Sequence, residues 1–472
     1  MFSSSFRKLA GIGAAAAEMV ATDIVTNIRE TIERADGSRV RRSFGKLEDI
    51  AERHGEGFVI DGENALDLER INNLAVFGST GVGKTSNCLI PTLLYSSNAS
   101  YIVHDSSGTV FPLTAPRMAE MGVEIHRLSY SDILASSSIN LLDYATSDED
   151  ANLLADHFVR TALDGEKADM FFNSSAVGLT SWAMRMCRRL EPRYKHMGCV
   201  RQIIQALSTK GMLDKLVAKA ATPKLWDEYK YYRSTASDKT MSGIIMSALV
   251  ALNPFSSDAL CRASVKSSVD FSTFRDKRQI LYIETGTYDS FFYNNLTSIV
   301  IESALRTLMK QVPDGGLPVY LLLDECSTLN LKSLSQCVSN SKKYNLKNCI
   351  FYQSPSQMID AYGAQIGRNI LLNCSHAYYG HQDISTSRDL AELCKSDFKG
   401  ADGRKRSEHL MKPEEIAKMP KDRGLLFYRN QPFRLTLQPW FKNPILRMRT
   451  KGAAFVFSNP HIPETLDLIQ FS

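Results

Sequence analysis

Short apolar runs alternate with segments of helical periodicity along most of the chain. The runs have strand length and are rich in β-branched and aromatic residues, which is typical of buried strands in a parallel sheet with crossover helices. The predicted strands are residues 74–77, 101–104, 123–128, 279–283, 319–323, 348–352, 376–380 and 424–428. The pattern therefore predicts an α/β fold with a mostly parallel sheet.

The alternation stops between residue 142 and about residue 268. Segments 151–162, 174–190, 201–207 and 241–252 carry helical periodicity there, and strand runs are few. An all-α module inserted into the sheet domain is the expected arrangement.

A phosphate-binding motif follows the first apolar run directly. Residues 78–85 match GxxxxGK[ST], in which glycines turn backbone amides toward phosphates, lysine neutralises the β and γ oxygens, and threonine completes a Mg²⁺ shell. The candidate nucleotide-binding residues are Gly78, Ser79, Thr80, Gly81, Val82, Gly83, Lys84, Thr85 and Ser86. The motif predicts a nucleoside triphosphate and Mg²⁺ as ligands, with a chance glycine-rich loop as the alternative.

A second motif, the acidic pair Asp324-Glu325, follows the apolar run at residues 319–323. Asp324 would hold Mg²⁺ through its water shell, with Thr85 as the other metal-binding residue. Glu325 follows where a carboxylate can orient and polarise an attacking water. The alternative is a buried strand that ends in two solvated acids. The pair predicts a Walker B strand beside the phosphate loop, with Lys84 and Glu325 as catalytic residues.

Composition agrees with a folded intracellular protein. The 472 residues are 44% hydrophobic and 23% charged, enough for two or three domains with real cores. Nine cysteines are scattered without a CxxC pair. They favour reduced thiols and argue against a disulfide framework or a zinc site.

Positive charge is concentrated near the C-terminus. Residues 395–451 contain fifteen Lys and Arg against six Asp and Glu, although the formal charge of the whole chain is +5. The basic cluster around Gly400 and Gly403 comprises Lys395, Lys399, Arg404, Lys405 and Arg406. It predicts a mobile loop that contacts the phosphate backbone of DNA, with an ordinary solvated loop as the alternative.

The motifs together resemble the conjugative coupling proteins of the TraG/TraD type, the ATPases of type IV secretion systems. The resemblance rests on "FGSTGVGKTSNCLIPTLL", "INLLDY", "SDKTMSGIIMSALVALNPF", "LLLDECSTLN", "FYQSPSQMIDAYG" and "HLMKPEEIAKMPKDRGLLFYRNQPF", in this order. It implies a RecA-like nucleotide-binding domain interrupted by an all-α domain. The expected bounds are 1–58 for an N-terminal helical segment that contacts a partner or a membrane surface, 59–148 and 269–472 for the two parts of the RecA-like domain, and 149–268 for the insert.

The resemblance also implies roles for individual residues. Gln353, at the end of the strand after Walker B, corresponds to the family's polar γ-phosphate sensor, and a buried structural amide is the alternative. Arg368 is the candidate for an arginine finger supplied across a subunit boundary. Asp105 occupies the acidic position of a DPKGE-like motif, but the usual lysine and glutamate are missing from the sequence.

The implied function is an ATP-driven motor that delivers DNA, or a DNA–relaxase complex, to a type IV secretion channel. The implied partners are single-stranded DNA bound without sequence preference, a relaxase, the relaxosome or secreted proteins, the channel components, and further copies of the chain in a hexameric ring. Two alternatives stay open: a soluble FtsK/HerA-like DNA pump, and a substrate-receptor adaptor whose ATPase is slow and gated by a partner.

Family members commonly carry two N-terminal transmembrane helices, whereas this sequence contains no apolar stretch near the ~20 residues that a membrane span requires. The apolar run at residues 9–17 is short and ends at Glu18. The expected location is the cytoplasm, with peripheral association at the inner membrane through residues 2–17 or through a partner.

Overall fold

The computed structural model describes residues 43–96, 98–163, 170–234, 237–286, 290–399, 405–459 and 462–471. The strands are β1 (Ala51–Arg53), β2 (Phe58–Val59), β3 (Asn64–Leu66), β4 (Asn73–Phe77), β5 (Ser100–Asp105), β6 (Glu124–Ser129), β7 (Gln279–Glu284), β8 (Val319–Leu323), β9 (Leu346–Tyr352), β10 (Ser375–Tyr379), β11 (Lys395–Lys399), β12 (Lys405–His409), β13 (Arg423–Tyr428) and β14 (Gln431–Thr436).

The helices follow in the same chain order. They are α1 (Ile90–Tyr95), α2 (Val110–Glu120), α3 (Asp148–Leu163), α4 (Met170–Cys187), α5 (Met197–Ala206), α6 (Asp214–Ala220), α7 (Pro223–Ser234), α8 (Asp238–Ala251), α9 (Asp258–Arg262), α10 (Ser290–Met309), α11 (Leu334–Ser339), α12 (Pro355–Tyr362), α13 (Ala364–Leu372), α14 (Ile384–Leu393), α15 (Pro413–Ala417) and α16 (Pro444–Arg449).

One large sheet organises the molecule, with the strand order β14-β13-β10-β4-β9-β8-β5-β7-β6. The seven strands from β10 to β6 pair in parallel, and β13 and β14 add antiparallel strands at one edge. β4, β5, β7 and β8 are buried along their whole length, as expected when helices cover both faces. Each of the eight predicted strands corresponds to one of these strands, and the predicted α/β fold class is confirmed.

The helices α3 to α9 lie between β6 and β7 in the chain, as a helical insert in the sheet domain. Trp182 on α4 is fully buried, and its indole Nε1 donates to the Leu225 carbonyl of α7 at 3.0 Å. Apolar side chains of the insert continue into the core on one face of the sheet. The predicted helical insert is therefore present and shares a core with the sheet.

Three features differ from the sequence prediction. β14 extends the sheet, and β1, β3 and β2 form a separate small antiparallel sheet. The basic segment was predicted as a mobile loop, and this was wrong for its described part, because β11 and β12 pair as an antiparallel hairpin with Lys399 opposite Lys405. Phe398, opposite Arg406 in this pairing, is a residue type that favours strands.

The expected membrane-surface segment at residues 2–17 lies outside the described residues. No helix in the described ranges is both long enough and apolar enough to cross a membrane.

Candidate functional site

The phosphate-binding loop connects β4 to a π-helical turn at Thr85–Leu89 that continues into α1. Gly81 and Gly83 have φ angles of +76° and +94°, a region that side chains with a Cβ rarely adopt. A Cβ on Gly78 would lie 2.7 Å from Val82 Cγ1 and 2.9 Å from the Tyr379 carbonyl oxygen. Glycine at these positions allows the loop to close tightly with its amides available for phosphate oxygens.

Lys84 folds back over this loop. Its Nζ donates to the Gly78 carbonyl at 2.6 Å, and the residue is 8% exposed. Burial lowers the pKa of the Lys84 amine, whereas the nearby Asp324 and Glu325 carboxylates act in the opposite direction. The positive charge is thus held at the loop by backbone oxygen and by two acids.

Thr85 and Asp324 form the direct link between Walker A and Walker B. The Thr85 hydroxyl donates to Asp324 Oδ2 at 2.8 Å. Burial raises the pKa of Asp324 to about 6, against the opposing effects of the Thr85 hydrogen bond and the Lys84 charge. A nearby cation would favour the ionised carboxylate, so the environment of Asp324 suits a site that binds positive charge.

The Thr85 hydroxyl and the Asp324 carboxylate are oxygen donors that suit Mg²⁺. In the described residues, no group of three or more His, Cys, Asp or Glu side chains could hold a metal ion by itself. Mg²⁺ at nucleotide sites characteristically takes one or two protein oxygens and completes its shell with phosphates and water. The adjacent Thr85 hydroxyl and Asp324 carboxylate supply donors of this kind.

Glu325 has an unusual backbone for its residue type. Its φ and ψ angles are 46° and 49°, in the left-handed helical region, and its N–H donates to Asp324 Oδ1 at 3.1 Å. The side chain is half-buried. This turn directs the chain away from β8 immediately after Asp324, and such strained residues cluster at functional sites.

Gln353 lies between the two Walker motifs because β9 lies between β4 and β8. The Gly78 N–H donates to the Tyr352 carbonyl at 3.2 Å, which places the next residue, Gln353, beside the start of the phosphate loop. Gln353 is exposed, and its N–H donates to Gln357 Oε1 at 2.9 Å. The alternative of a buried structural amide is wrong; a sensor role stays a prediction.

Two other candidates have different environments. Asp105 caps α2, because its carboxylate accepts the N–H groups of Thr109 at 3.2 Å, Val110 at 2.6 Å and Phe111 at 3.3 Å. Its carboxylate therefore has a structural role in this chain. Arg368 is half-buried on α13, and its role as a finger for a neighbouring subunit stays a prediction.

The basic cluster is only partly described. Lys395 is half-buried, and its amine is 3.3 Å from the Glu392 carboxylate. Lys399, Lys405 and Arg406 belong to the hairpin, and Arg404 lies outside the described residues. DNA contact by this cluster stays a prediction.

The structure adds site residues that the sequence reasoning missed. His104 is fully buried at the end of β5, and its Nδ1 is 2.6 Å from the Asp324 carbonyl. Burial lowers the pKa of His104 to about 4. His381 follows β10, with Nε2 3.4 Å from Ser79 Oγ. The available signal in both cases was a histidine at the end of a predicted strand or directly after it, 101–104 for His104 and 376–380 for His381.

The fold and this site define a P-loop nucleotide-binding protein of RecA-like architecture with a helical insert. The chain belongs to the type IV secretory system conjugative DNA transfer family, whose model matches residues 19–460. The resemblance inferred from the motifs is thereby confirmed.

Similar proteins include the type IV secretion system-coupling proteins VirD4 of Bartonella henselae and Bartonella quintana. Each is 21% identical over 346 residues, which cover 68% of this chain and 52% of the relative. The chain thus spans about half the length of these relatives.

Solved structures of the plasmid coupling protein TrwB have the same fold. The complex of TrwB with ADP and Mg²⁺ has a TM-score of 0.64 at 16% identity, covering 85% of this chain and 96% of that chain. The complex with the ATP analogue ADPNP has a TM-score of 0.64 at 16% identity, covering 91% and 99%.

Proposed function

We propose that this chain is a Mg²⁺-dependent ATPase that couples hydrolysis to the delivery of DNA, or of a DNA–relaxase complex, to a type IV secretion channel. The observation that carries the chemical part is the 2.8 Å contact between Thr85 Oγ1 and Asp324 Oδ2, with Lys84 on the adjoining loop. It joins the phosphate-binding and metal-binding elements in one place. Family membership and the VirD4 relatives support the transport part.

Each residue has a distinct chemical role in this proposal. Lys84 and the loop amides bind phosphate oxygens, and Thr85 with Asp324 holds Mg²⁺. The Mg²⁺ that Thr85 and Asp324 would hold would supply charge neutralisation at the phosphates. Glu325 orients the attacking water and accepts its proton, and the exposed Gln353 amide contacts the γ-phosphate from the neighbouring strand.

The assembly proposed is a homo-oligomeric ring, a hexamer, in which an arginine from a neighbouring copy completes the site. Arg368 is the candidate for that arginine. The ring translocates DNA without sequence preference, since contacts to phosphates position a protein and do not read bases. The chain would work in the cytoplasm at the inner face of the membrane, next to the channel.

The decisive experiment measures ATP hydrolysis and nucleotide binding separately, with and without single-stranded and duplex DNA. Glu325→Gln should retain ATP binding and lose hydrolysis by about 10²–10⁴-fold, the usual contribution of a general base. Lys84→Ala should weaken both, because it removes a charge from the phosphate site. Glu48→Gln, at an exposed glutamate distant in sequence from both Walker motifs, is the matched control.

The outcomes separate the candidate functions. Wild-type hydrolysis by Glu325→Gln would show that the assigned base is wrong. DNA-stimulated hydrolysis together with a measured mass of a ring supports the motor. Slow hydrolysis that DNA does not change, combined with tight binding of a relaxase or a secreted protein, would instead identify a substrate-receptor adaptor.

A further inference from the structure

The left-handed turn at Glu325 requires something to hold it. A residue with a Cβ in this conformation persists when its surroundings fix the backbone on both sides. The N–H of Glu325 is bound by Asp324 Oδ1 at 3.1 Å. The peptide that precedes Glu325 presents its other polar group, the Asp324 carbonyl, toward β5.

His104 binds that carbonyl. It lies opposite Leu323 in the parallel pairing of β5 with β8, so it is level with the last residue of the Walker B strand. Its ring Nδ1 is 2.6 Å from the Asp324 carbonyl oxygen, and its own carbonyl accepts the Asp324 N–H at 3.3 Å. Both backbone polar groups of Asp324 are therefore bound by one residue.

The geometry also fixes which ring nitrogen carries the hydrogen. A carbonyl oxygen accepts and cannot donate, so Nδ1 is the donor and Nε2 of the neutral ring is an acceptor. Nε2 lies 3.4 Å from the hydroxyl of Thr285, a buried residue directly after β7. Because β7, β5 and β8 are neighbours, Thr285, His104 and the Asp324 carbonyl form a buried polar chain across three strands.

We propose that His104 is a positioning residue that holds the Asp324–Glu325 peptide in the orientation required for Glu325 to act on water. The inference rests on the proposed ATPase function. His104 touches neither nucleotide nor water in this role, since it acts through the backbone of Asp324.

Three substitutions test the contact through its specific atom. In His104→Asn the side-chain amide nitrogen can occupy the position of Nδ1 and donate to the Asp324 carbonyl. In His104→Gln the amide nitrogen lies nearer the position of Nε2 and does not replace this contact. We therefore expect His104→Leu and His104→Gln to lower kcat about tenfold, equivalent to about 1.4 kcal/mol in activation free energy. His104→Asn should recover most of kcat. The KM for ATP and its Mg²⁺ dependence should stay unchanged in all three variants.

A matched control removes another buried histidine of the same sheet. His126 on the edge strand β6 is 5% exposed, and its Nε2 is 3.1 Å from Gln279 Oε1. His126→Leu should leave kcat unchanged even if it lowers the unfolding temperature. A loss of kcat in His126→Leu equal to that in His104→Leu would overturn the proposal, because it would indicate a general effect of destabilising the sheet.

A double-mutant cycle tests whether His104 acts through Glu325. In the Glu325→Gln background, His104→Leu should cause no further loss of residual single-turnover hydrolysis. An unchanged kcat in His104→Leu, or a full additional tenfold loss in the double variant, overturns the proposal.

NMR of the ¹⁵N-histidine-labelled protein separates this inference from the proposed function. The wild-type spectrum should contain a neutral Nδ1–H ring that is missing in His104→Leu. If the wild type hydrolyses no ATP, the proposed function fails and the role of His104 in hydrolysis fails with it, whereas the spectrum still decides whether the contact exists. Absence of an Nδ1–H signal from His104 overturns the inference even in an active enzyme.

Discussion

Replacing Glu325 by glycine should give a more stable protein than replacing it by alanine. Both variants lose every side-chain contact beyond Cβ, so these contacts cancel in the comparison. With φ at 46° and ψ at 49°, a residue with a Cβ pays about 1–2 kcal/mol for the left-handed conformation. Glycine avoids this cost and loses about 0.5–1 kcal/mol more than alanine in backbone entropy. At the midpoints of these two ranges, the balance favours Glu325→Gly by about 0.75 kcal/mol.

The assay is denaturant unfolding of the two variants, with ATP hydrolysis measured on the same preparations. Both should be inactive to the same extent, since neither has a carboxylate at this position. Asp360, which is exposed within α12, provides a control in which the order should be reversed. Asp360→Gly should be about 1 kcal/mol less stable than Asp360→Ala, because glycine disfavours a helix relative to alanine. If Glu325→Ala equals or exceeds Glu325→Gly in stability, the left-handed turn is not the conformation in solution and the argument for His104 loses its basis.

Three further predictions concern metal, DNA and pH. Thr85→Ser should retain Mg²⁺-dependent ATP binding, and Thr85→Ala should weaken it about tenfold or more by removing the hydroxyl, as a Mg²⁺ titration of nucleotide binding would reveal. Alanine at Arg404, Lys405 and Arg406 together should reduce the slope of log DNA affinity against log salt by up to about two to three units, and an unchanged slope would assign DNA contact elsewhere. Burial lowers the pKa of His157 to about 4 from 6.5. Between these two pH values His157 is protonated in the unfolded chain and neutral in the folded chain, so the free energy of unfolding falls as the pH decreases from 6.5 toward 4. In His157→Gln the free energy of unfolding should fall by about 1.4 kcal/mol less per pH unit over this range, as urea unfolding at several pH values would measure. An equal pH dependence in the wild type and the variant would contradict the burial argument.

The sequence predicts the central part of the sheet well because β4, β5, β7 and β8 are buried on both faces. Continuous apolar runs such as 319–323 and 349–352 have few alternatives to a central parallel strand. The antiparallel edge is harder to predict. β14 alternates buried and exposed residues and contains Pro432, so its pattern is weaker and its pairing depends on β13.

The hairpin of β11 and β12 was missed for a different reason. Clustered lysine, arginine and glycine are typical of solvated loops, and charge dominated the interpretation of this segment. Side chains such as Ser396, which is buried, show that one part of the hairpin packs against the protein. Packing of this kind depends on tertiary context and cannot be predicted from local composition.

Motif matching identified Lys84, Thr85, Asp324 and Glu325 but could not predict how they are held. Their residue types follow from phosphate and metal chemistry, which any chain must satisfy in a similar way. The left-handed turn and the buried histidine beside it depend on strand order, because β5 must adjoin β8 before His104 can reach the Asp324 carbonyl. Strand order in a parallel sheet is set by how the crossover helices pack, and a local motif carries little information about it. The chemistry of this site is therefore encoded locally, whereas the orientation of Glu325 is a property of the assembled sheet.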